Sequence, residues 1–266
     1  MVDFSFVRFG LKFRQIMFLP ENGAVPAGNE DVCLFYRGND DCQGKNAILY
    51  GNKGVYVTHQ ITLENDLTVG EEELFAGIKK NCKYEIRRAE REGVHTAFFT
   101  DLQEIEDRKI LTSLQSTYNK MFSNKGRRNR FNRPYVEAAL KAGSLLIGAA
   151  YLGEAEEPVV YHVTVLAGKY ALLMYSTSIL WNEGEVNGKL IGWANKRLHW
   201  DELSFCKNKG VAVYDWGGIQ SAEMPNGIDR FKMEFSGAVK QYDNMIIART
   251  LKGAAYVAAL RAMEKL

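Results

Sequence analysis

The segment VYDWGGIQSAEMPNGIDRFKMEFSG, residues 213–237, holds an acid and two cations in a pattern that suits a reaction centre. An apolar run, Val211 to Tyr214, ends in Asp215, followed by Trp216, Gly217 and Gly218. An acid at a strand end, next to glycines that let the backbone turn, suits a site on the open edge of a sheet. The same residues suit a capped turn in which glycine supplies a positive φ. Arg230 and Lys232 flank Phe231 on a predicted short helix, Ile228–Phe235, where they either steady negative charge or face solvent.

Other stretches could hold an anion. Lys125, Arg127, Arg128, Arg130 and Arg133 place five cations in nine residues, with no acid between Asp107 and Glu137. Arginine binds phosphate and carboxylate bidentately, and Phe131 and Tyr135 could stack on a base or a sugar. In a predicted helix over 71–92, Lys79, Lys83, Arg87 and Arg91 recur every fourth residue as one basic face, for a polyanion or simply for water with Glu85, Glu90 and Glu92 as partners. Lys189, Gly192 and Ala194 precede a predicted long helix, where small residues let backbone N–H groups approach a pyrophosphate. On that helix Asn195 and His199 are one turn apart, beside Trp193 and Trp200. A lone helical histidine is more often a hydrogen-bonding residue than a base. His59, His95 and His162 have no serine or cysteine motif near them, and neither a nucleophile elbow nor a phosphate-binding P-loop occurs.

The elements that must position these residues read as α+β. Val2, Phe4 and Phe6 alternate with polar residues, and Phe13–Leu19, Val32–Tyr36, Ala47–Tyr50 and Val55–Thr58 are strand candidates separated by turn-forming clusters. In the 71–92 helix Leu74, Ile78, Cys82, Ile86 and Ala89 form the buried stripe, with Gly93 as its stop. A strand over Val94–Phe99, a helix over Leu102–Phe122 and a short helix from Pro134 follow. Leu145–Leu152, Val159–Ala167 and Tyr170–Ile179 are three strands, with Ala167-Gly168-Lys169 as a hairpin turn. The long helix to Lys207, a strand at Val211–Tyr214, the short helix, a strand over Ala238–Thr250 and a helix over Gly253–Lys265 complete a mixed sheet with helices around it. The expected organisation is a β-rich N-terminal region plus the basic helix over 1–100, and a second domain over 101–266.

The 266 residues are 46% hydrophobic and 25% charged, with a formal net charge of +2. That suits a globular chain with a sizeable core, and its bulk charge is too mild to imply a nucleic-acid protein. The most apolar central stretch, Leu145–Leu152, is far too short to span a bilayer. Charges at Asp3, Arg8, Lys12 and Arg14 predict no secretory leader. Cys33, Cys42, Cys82 and Cys206 are scattered without metal-ligand spacing, so reduced thiols, a cytoplasmic location and no metal are expected. Cys33 and Cys42 could also meet across a hairpin.

Three stretches in order resemble the Fem-type peptidyl- and aminoacyltransferases and related GNAT-like acyltransferases. KNCKYEIRRAEREGV (80–94) resembles their basic helix. GWANKRLHWDELSFCKNKGVAVYDWGGI (192–219) resembles the helix and glycine-punctuated strand end. GIDRFKMEFSG (227–237) resembles the Phe-Lys-x-x-Phe-Gly segment, with Ser236 where glycine is usual. The resemblance implies a GNAT-like, mostly antiparallel sheet flanked by helices, with a truncated N-terminal subdomain, in a cytoplasmic bacterial enzyme. It implies transfer of an acyl group onto an amine of an amino sugar, nucleotide-sugar, glycan or muropeptide precursor, without a covalent enzyme intermediate. An acyl-CoA donor, acetyl-CoA or longer, is favoured, with aminoacyl-tRNA as the alternative. In that reading Asp215 or a backbone-bound water is the first candidate base and His199 the second. Lys232 and Arg230 steady phosphate or developing charge, and Lys189, Gly192 and Ala194 hold the cofactor. Arg127, Arg128, Arg130 and Arg133 hold a nucleotide-sugar diphosphate or the donor's phosphates, and Asn195 and Trp216 are further substrate-binding residues. Peripheral membrane association stays open, and a non-catalytic module that binds RNA or a glycan is the reading from another class.

Overall fold

The computed structural model describes residues 1–18, 28–39, 53–124, 131–179 and 187–264. The expected strand Ala47–Tyr50, Cys42, and Arg127, Arg128 and Arg130 lie outside the described residues. In chain order the strands are β1 (Val2–Arg8), β2 (Leu11–Met17), β3 (Val32–Asn39), β4 (Gly54–Asp66), β5 (Val94–Phe99), β6 (Leu145–Leu152), β7 (Val160–Ala167), β8 (Tyr170–Ser178), β9 (Val213–Asp215) and β10 (Ala238–Ala248). The helices are α1 (Glu71–Gly77), α2 (Lys80–Arg91), α3 (Leu102–Asp107), α4 (Ile110–Asn124), α5 (Arg133–Lys141), α6 (Gly188–Asn208), α7 (Gly227–Lys232) and α8 (Leu251–Glu264).

The chain forms two compact units, Met1–Ile61 with Pro134–Ala142 and Lys240–Leu266, and Thr62–Arg133 with Gly143–Val239. The division falls inside β4, so α2 and β5, grouped with the N-terminal region from sequence, belong to the second unit. In the first unit β1 and β2 form an antiparallel hairpin in which Arg8 faces Leu11. β2 pairs parallel with β3, and β3 antiparallel with β10. The alternation seen in β1 places Phe4 and Phe6 inward, where they pack edge-on against Tyr135 at 5.0 and 5.4 Å. Phe6 also stacks on Phe13 at 5.2 Å. Tyr135 is therefore a core residue, not a stacking platform for a ligand; Phe131 is likewise buried, against Tyr118 and Tyr175 in the second unit.

The second unit has strand order β4-β9-β8-β7-β6-β5. β5 to β8 are successive antiparallel neighbours, and β9 joins β8 in parallel and β4 antiparallel. The sheet as a whole is mostly antiparallel and flanked by helices. α6 packs Ile191, Ala194 and Leu198 against Ala150, Val159 and Val160 of the β6–β7 region, together with Ala89 of α2. The stripe Leu74, Ile78, Cys82, Ile86 and Ala89 is buried as its spacing predicts, and Gly93 follows at φ 78°. The expected 71–92 helix is nevertheless two helices. Ile78 is extended (φ −63°, ψ 138°), which breaks the ladder but keeps Ile78 inward. The expected 102–122 helix is similarly broken at Lys109, φ 54°. A single break that leaves the apolar face in phase is invisible to periodicity.

Candidate active site

β8 and β9 run together over three residues, Tyr170 with Val213, Ala171 with Tyr214 and Leu172 with Asp215, and then part. β8 stays paired with β7 as far as Ser178. The chain after Asp215 turns away because Gly217 and Gly218 have φ of 73° and 99°. An added Cβ on Gly217 would collide with the Leu173 carbonyl oxygen, so only glycine fits where the two strands separate.

The acid that opened the sequence pattern is the brace of this turn. Asp215 is fully buried. Its Oδ1 accepts from the Gly217 amide at 2.8 Å and from Thr62 Oγ1 at 2.5 Å, and Thr62 Oγ1 accepts from the Gly218 amide at 3.1 Å. Trp216 is fully buried too, and its Nε1–H donates to Asn65 at 2.7 Å. Asp215, expected as a base, and Trp216, expected to bind substrate, are thus both turned inward and hold the loop. Asp229 closes the other side of the loop. It forms a capping box with Asn226 at the start of α7 and accepts from the amides of Gln220 at 3.0 Å, Ser221 at 3.3 Å and Asn226 at 3.1 Å.

Lys232, on the last turn of α7, is aimed back at this loop. Its Nζ donates to the carbonyls of Trp216 at 2.7 Å and Gly218 at 2.6 Å. An ammonium has three donors, and these two bonds use two of them. Burial pushes the Lys232 ammonium below its ordinary value, with Asp215 and Asp229 pulling the other way. Arg230 is exposed on the same helix. After α7, Ser236 adopts the left-handed conformation, φ 59°, which accounts for the usual glycine there.

Over the sheet lies a buried polar chain that motif reading missed. Glu202 of α6 is fully buried. Its carboxylate accepts from Thr164, from Tyr214 at 3.0 Å and from His162 Nδ1 at 2.7 Å. The far side of the His162 ring meets Asn195 Oδ1 at 2.9 Å. Asn195, His199 and Glu202 stand at i, i+4 and i+7, one face of one helix. That spacing was available in the sequence; the partner on β7 was not. His199 is enclosed by the rings of His162, Trp216, Phe231 and Phe235. Burial, then His162 and Lys232, push it well below its ordinary value, so it stays neutral. Its Nδ1 is buried with no hydrogen-bond partner among the described residues. The second candidate base is therefore an enclosed, neutral ring.

The expected pyrophosphate loop is corrected as well. α6 begins at Gly188, so Lys189, Gly192 and Ala194 lie inside it. The Lys189 amide is taken by Asn187 Oδ1 at 2.9 Å, and Ala194 is fully buried in the core. Gly192 and Ala194 lie beyond the first turn, where backbone N–H groups are bonded within the helix. Arg133 donates to Gln115 at 3.1 Å. Two cavities open elsewhere, about 430 Å³ beside His59 and Asp243 and about 570 Å³ beside Phe75 and Trp200; neither is lined by Lys232 or Asn195. Among the described residues no three His, Cys, Asp or Glu side chains converge as metal ligands, and no helix is long and apolar enough to cross a membrane.

The backbone arrangement is shared with solved structures. The chain superposes on FemX with a TM-score of 0.59 at 13% identity, over 85% of this chain and 74% of that one. The fold is GNAT/Fem-like. Two further matches carry the same arrangement. The C-terminal domain of an Agrobacterium fabrum protein assigned as a lysylphosphatidylglycerol synthetase gives a TM-score of 0.54 at 12% identity, over 86% of this chain and 71% of that one. L-PGS from Bacillus licheniformis gives 0.51 at 11% identity, over 85% and 71%. No family model and no curated sequence matches the chain. In this GNAT/Fem-like fold Lys232 donates to the carbonyls of Trp216 and Gly218, in the loop that follows the last paired residue of β9.

Proposed function

We propose that the protein is a transferase that moves an acyl or aminoacyl group from an activated ester onto an amine of a cell-envelope or polysaccharide precursor. The observation that carries this reading is Lys232, held by two backbone carbonyls where β8 and β9 part, with a third donor left over. Attack on an ester passes through a tetrahedral oxyanion, and a fixed cationic donor at that point lowers the barrier. A neutral amine needs no covalent enzyme intermediate; holding donor and acceptor in line supplies much of the rate.

For the donor, the charge on α2 favours aminoacyl-tRNA over acyl-CoA. The residues read as a CoA loop are helical, whereas α2 carries surplus charge. Its acids are paired: Glu85 with Lys196 and Glu90 with Arg197, while Arg88 holds Glu92 just past the helix end. Lys80, Arg87 and Arg91 are exposed and make no ion pair among the described residues. This stripe starts beside the site, because the Lys79 amide donates to Glu234 O at 2.9 Å and Lys196 bridges Glu85 and Glu234. Cations spread over three helical turns suit several phosphates of an extended polyanion.

Binding of aminoacylated tRNA by fluorescence anisotropy at two salt concentrations tests the donor. Affinity that falls steeply with salt, with a slope reduced by the triple substitution Lys80→Glu, Arg87→Glu, Arg91→Glu, is expected. A thermal shift with acetyl-CoA or a longer acyl-CoA, and none with aminoacyl-tRNA, would return the donor to acyl-CoA. tRNA binding without transfer to any amine would leave a binding module.

A further inference from the structure

We infer that the cavity between α1, α2 and α6 is a nucleotide subsite, which stacks one amino-bearing nucleobase against Trp200 and Phe75 and holds its phosphate on Arg87. The nucleotide is either one unit of an RNA or a free mononucleotide. As a unit of the donor RNA it deepens the reading above and rests on it; the cavity and its chemistry do not.

The cavity measures about 570 Å³, within the range of small-molecule sites. Its key side chains come from three helices: Glu72 and Phe75 from α1, Arg87 from α2 and Trp200 from α6. Glu72 and Phe75 are three residues apart and so share a helix face. On α6, Trp200 stands opposite Asn195, His199 and Glu202, because each residue turns the helix by about 100°. Those three face the sheet, so the cavity lies on the outer side of α6. It suits a part of a ligand remote from the reacting atoms.

Some of the charges around the cavity are already committed. Arg197 holds Glu90 at 3.0 Å and Asp201 at 2.7 Å, and Glu71 accepts from Ser204 at 3.3 Å. Arg87 and Glu72 are exposed and make no ion pair among the described residues. The Arg87 guanidinium lies over the Phe75 ring, 5.2 Å from its centroid. Phe75 meets Trp200 edge-on at 4.7 Å. The cavity thus combines an aromatic wall, a cation and a carboxylate.

A bare phosphate there would meet Glu71 and Glu72, and a bare amine would meet Arg87. A nucleotide answers both charges. Its phosphate is the anion, and the exocyclic amino group of cytosine, adenine or guanine donates to a carboxylate, as cytosine N4 does to Glu. Uracil lacks that group, and its N3–H lies between two carbonyl oxygens that a carboxylate repels. Aromatic rings and guanidinium planes are the surfaces on which unstacked bases rest. Arg87 also belongs with Lys80 and Arg91 to the exposed cations of α2, so the cavity adjoins the stripe to which phosphates are assigned above.

The test is an NMR titration of the full chain with CMP, UMP and, as a zwitterion without a base, leucine. The chain has four tryptophans, and Trp200→Phe identifies the Trp200 indole signal. That signal is expected to move with CMP, which should bind about tenfold more tightly than UMP. Arg87→Ala should weaken CMP about tenfold, and Glu72→Gln should narrow the gap between CMP and UMP; both side chains are exposed, so the fold is kept. The RNA arm is Trp200→Ala. It should weaken aminoacyl-tRNA binding about tenfold with an unchanged salt slope, because stacking releases no counterions. Unchanged tRNA affinity with CMP still bound assigns the subsite to a free mononucleotide. A Trp200 signal that ignores CMP and aminoacyl-tRNA alike, UMP bound as tightly as CMP, or a response to leucine alone would each overturn the subsite. CMP binding as described in a protein that neither binds tRNA nor transfers to any amine removes the transfer reading and leaves the subsite standing.

Discussion

The two units solve the same packing problem with different chemistry. The first is held by an aromatic cluster in which Phe4, Phe6, Phe13, Tyr135 and Tyr256 meet edge-on or stacked, beside the apolar set Ile16, Cys33, Phe35, Met245 and Ile247. The second buries Glu202, Asp215, Asp229, His162, His199, Asn65 and Thr164 among its apolar residues. An apolar core tolerates change in proportion to the volume altered. A buried polar network is all or none, because each lost partner strands another group in a medium of low dielectric constant. The unit that carries the network also carries Lys232 and the point where β9 leaves β8. Hydrogen-bonded side chains such as Glu202 and His162 are held in place by their partners.

Substitution of one deeply buried residue in each unit is the strongest challenge to that contrast. Glu202→Ala strands Thr164, Tyr214 and His162 at once and is expected to cost about 3–5 kcal/mol. Ile16→Val in the first unit trims one methylene and should cost about 1 kcal/mol. Equal losses in urea unfolding would erase the distinction.

Lys232→Ala separates the network from the reaction. It is expected to lower turnover by roughly 10²–10³-fold, the size seen for a lost oxyanion donor, while the melting temperature changes far less. Full turnover in a folded Lys232→Ala protein would move the reaction centre elsewhere.

His199 carries a pH signature peculiar to the second unit. Its folded value lies well below the ordinary 6.5. The unfolded ring therefore binds a proton that the folded ring refuses. Stability from this group is complete above pH 6.5 and is lost as pH falls below it, by up to about 1.4 kcal/mol per pH unit. His199→Phe should flatten that limb of a stability-against-pH curve and also remove the unpartnered Nδ1. An unchanged slope would mean that the ring is protonated in the fold.

The smallest effect belongs to the first unit. Phe9 and Gly10 form the two-residue turn between β1 and β2, with φ of 54° and 74°. Asn-Gly is the favoured pair for such a turn, and Phe9 is 76% exposed, so little packing is lost. Phe9→Asn is expected to add about 0.5–1 kcal/mol, readable as a small rise in melting temperature. A loss would show that the Phe9 ring contributes packing in this turn.

Much of the architecture was legible because it is periodic. The alternation of Phe4 and Phe6, the stripe from Leu74 to Ala89, the run of strands from Leu145 to Ser178 and the glycine stops at Gly93 and Gly168 all depend on near neighbours in the chain. The sequence by itself also determined that Asp215 ends a strand, that glycine must follow, and that Lys232 sits on a short helix behind it. Steric limits on φ and the spacing of donors within a turn are local properties. Only the tertiary structure decided what those residues do. Asp215 and Trp216 became the wall because Thr62 and Asn65, some 150 positions earlier, took their polar atoms. Gly192 and Ala194 became helix because Asn187 capped the chain before them. Glu202 and His162 became partners because α6 lies on β7. Each of these outcomes is a choice of partner across the fold, and the free energy of burying a polar group depends on that partner, not on the neighbours the chain supplies.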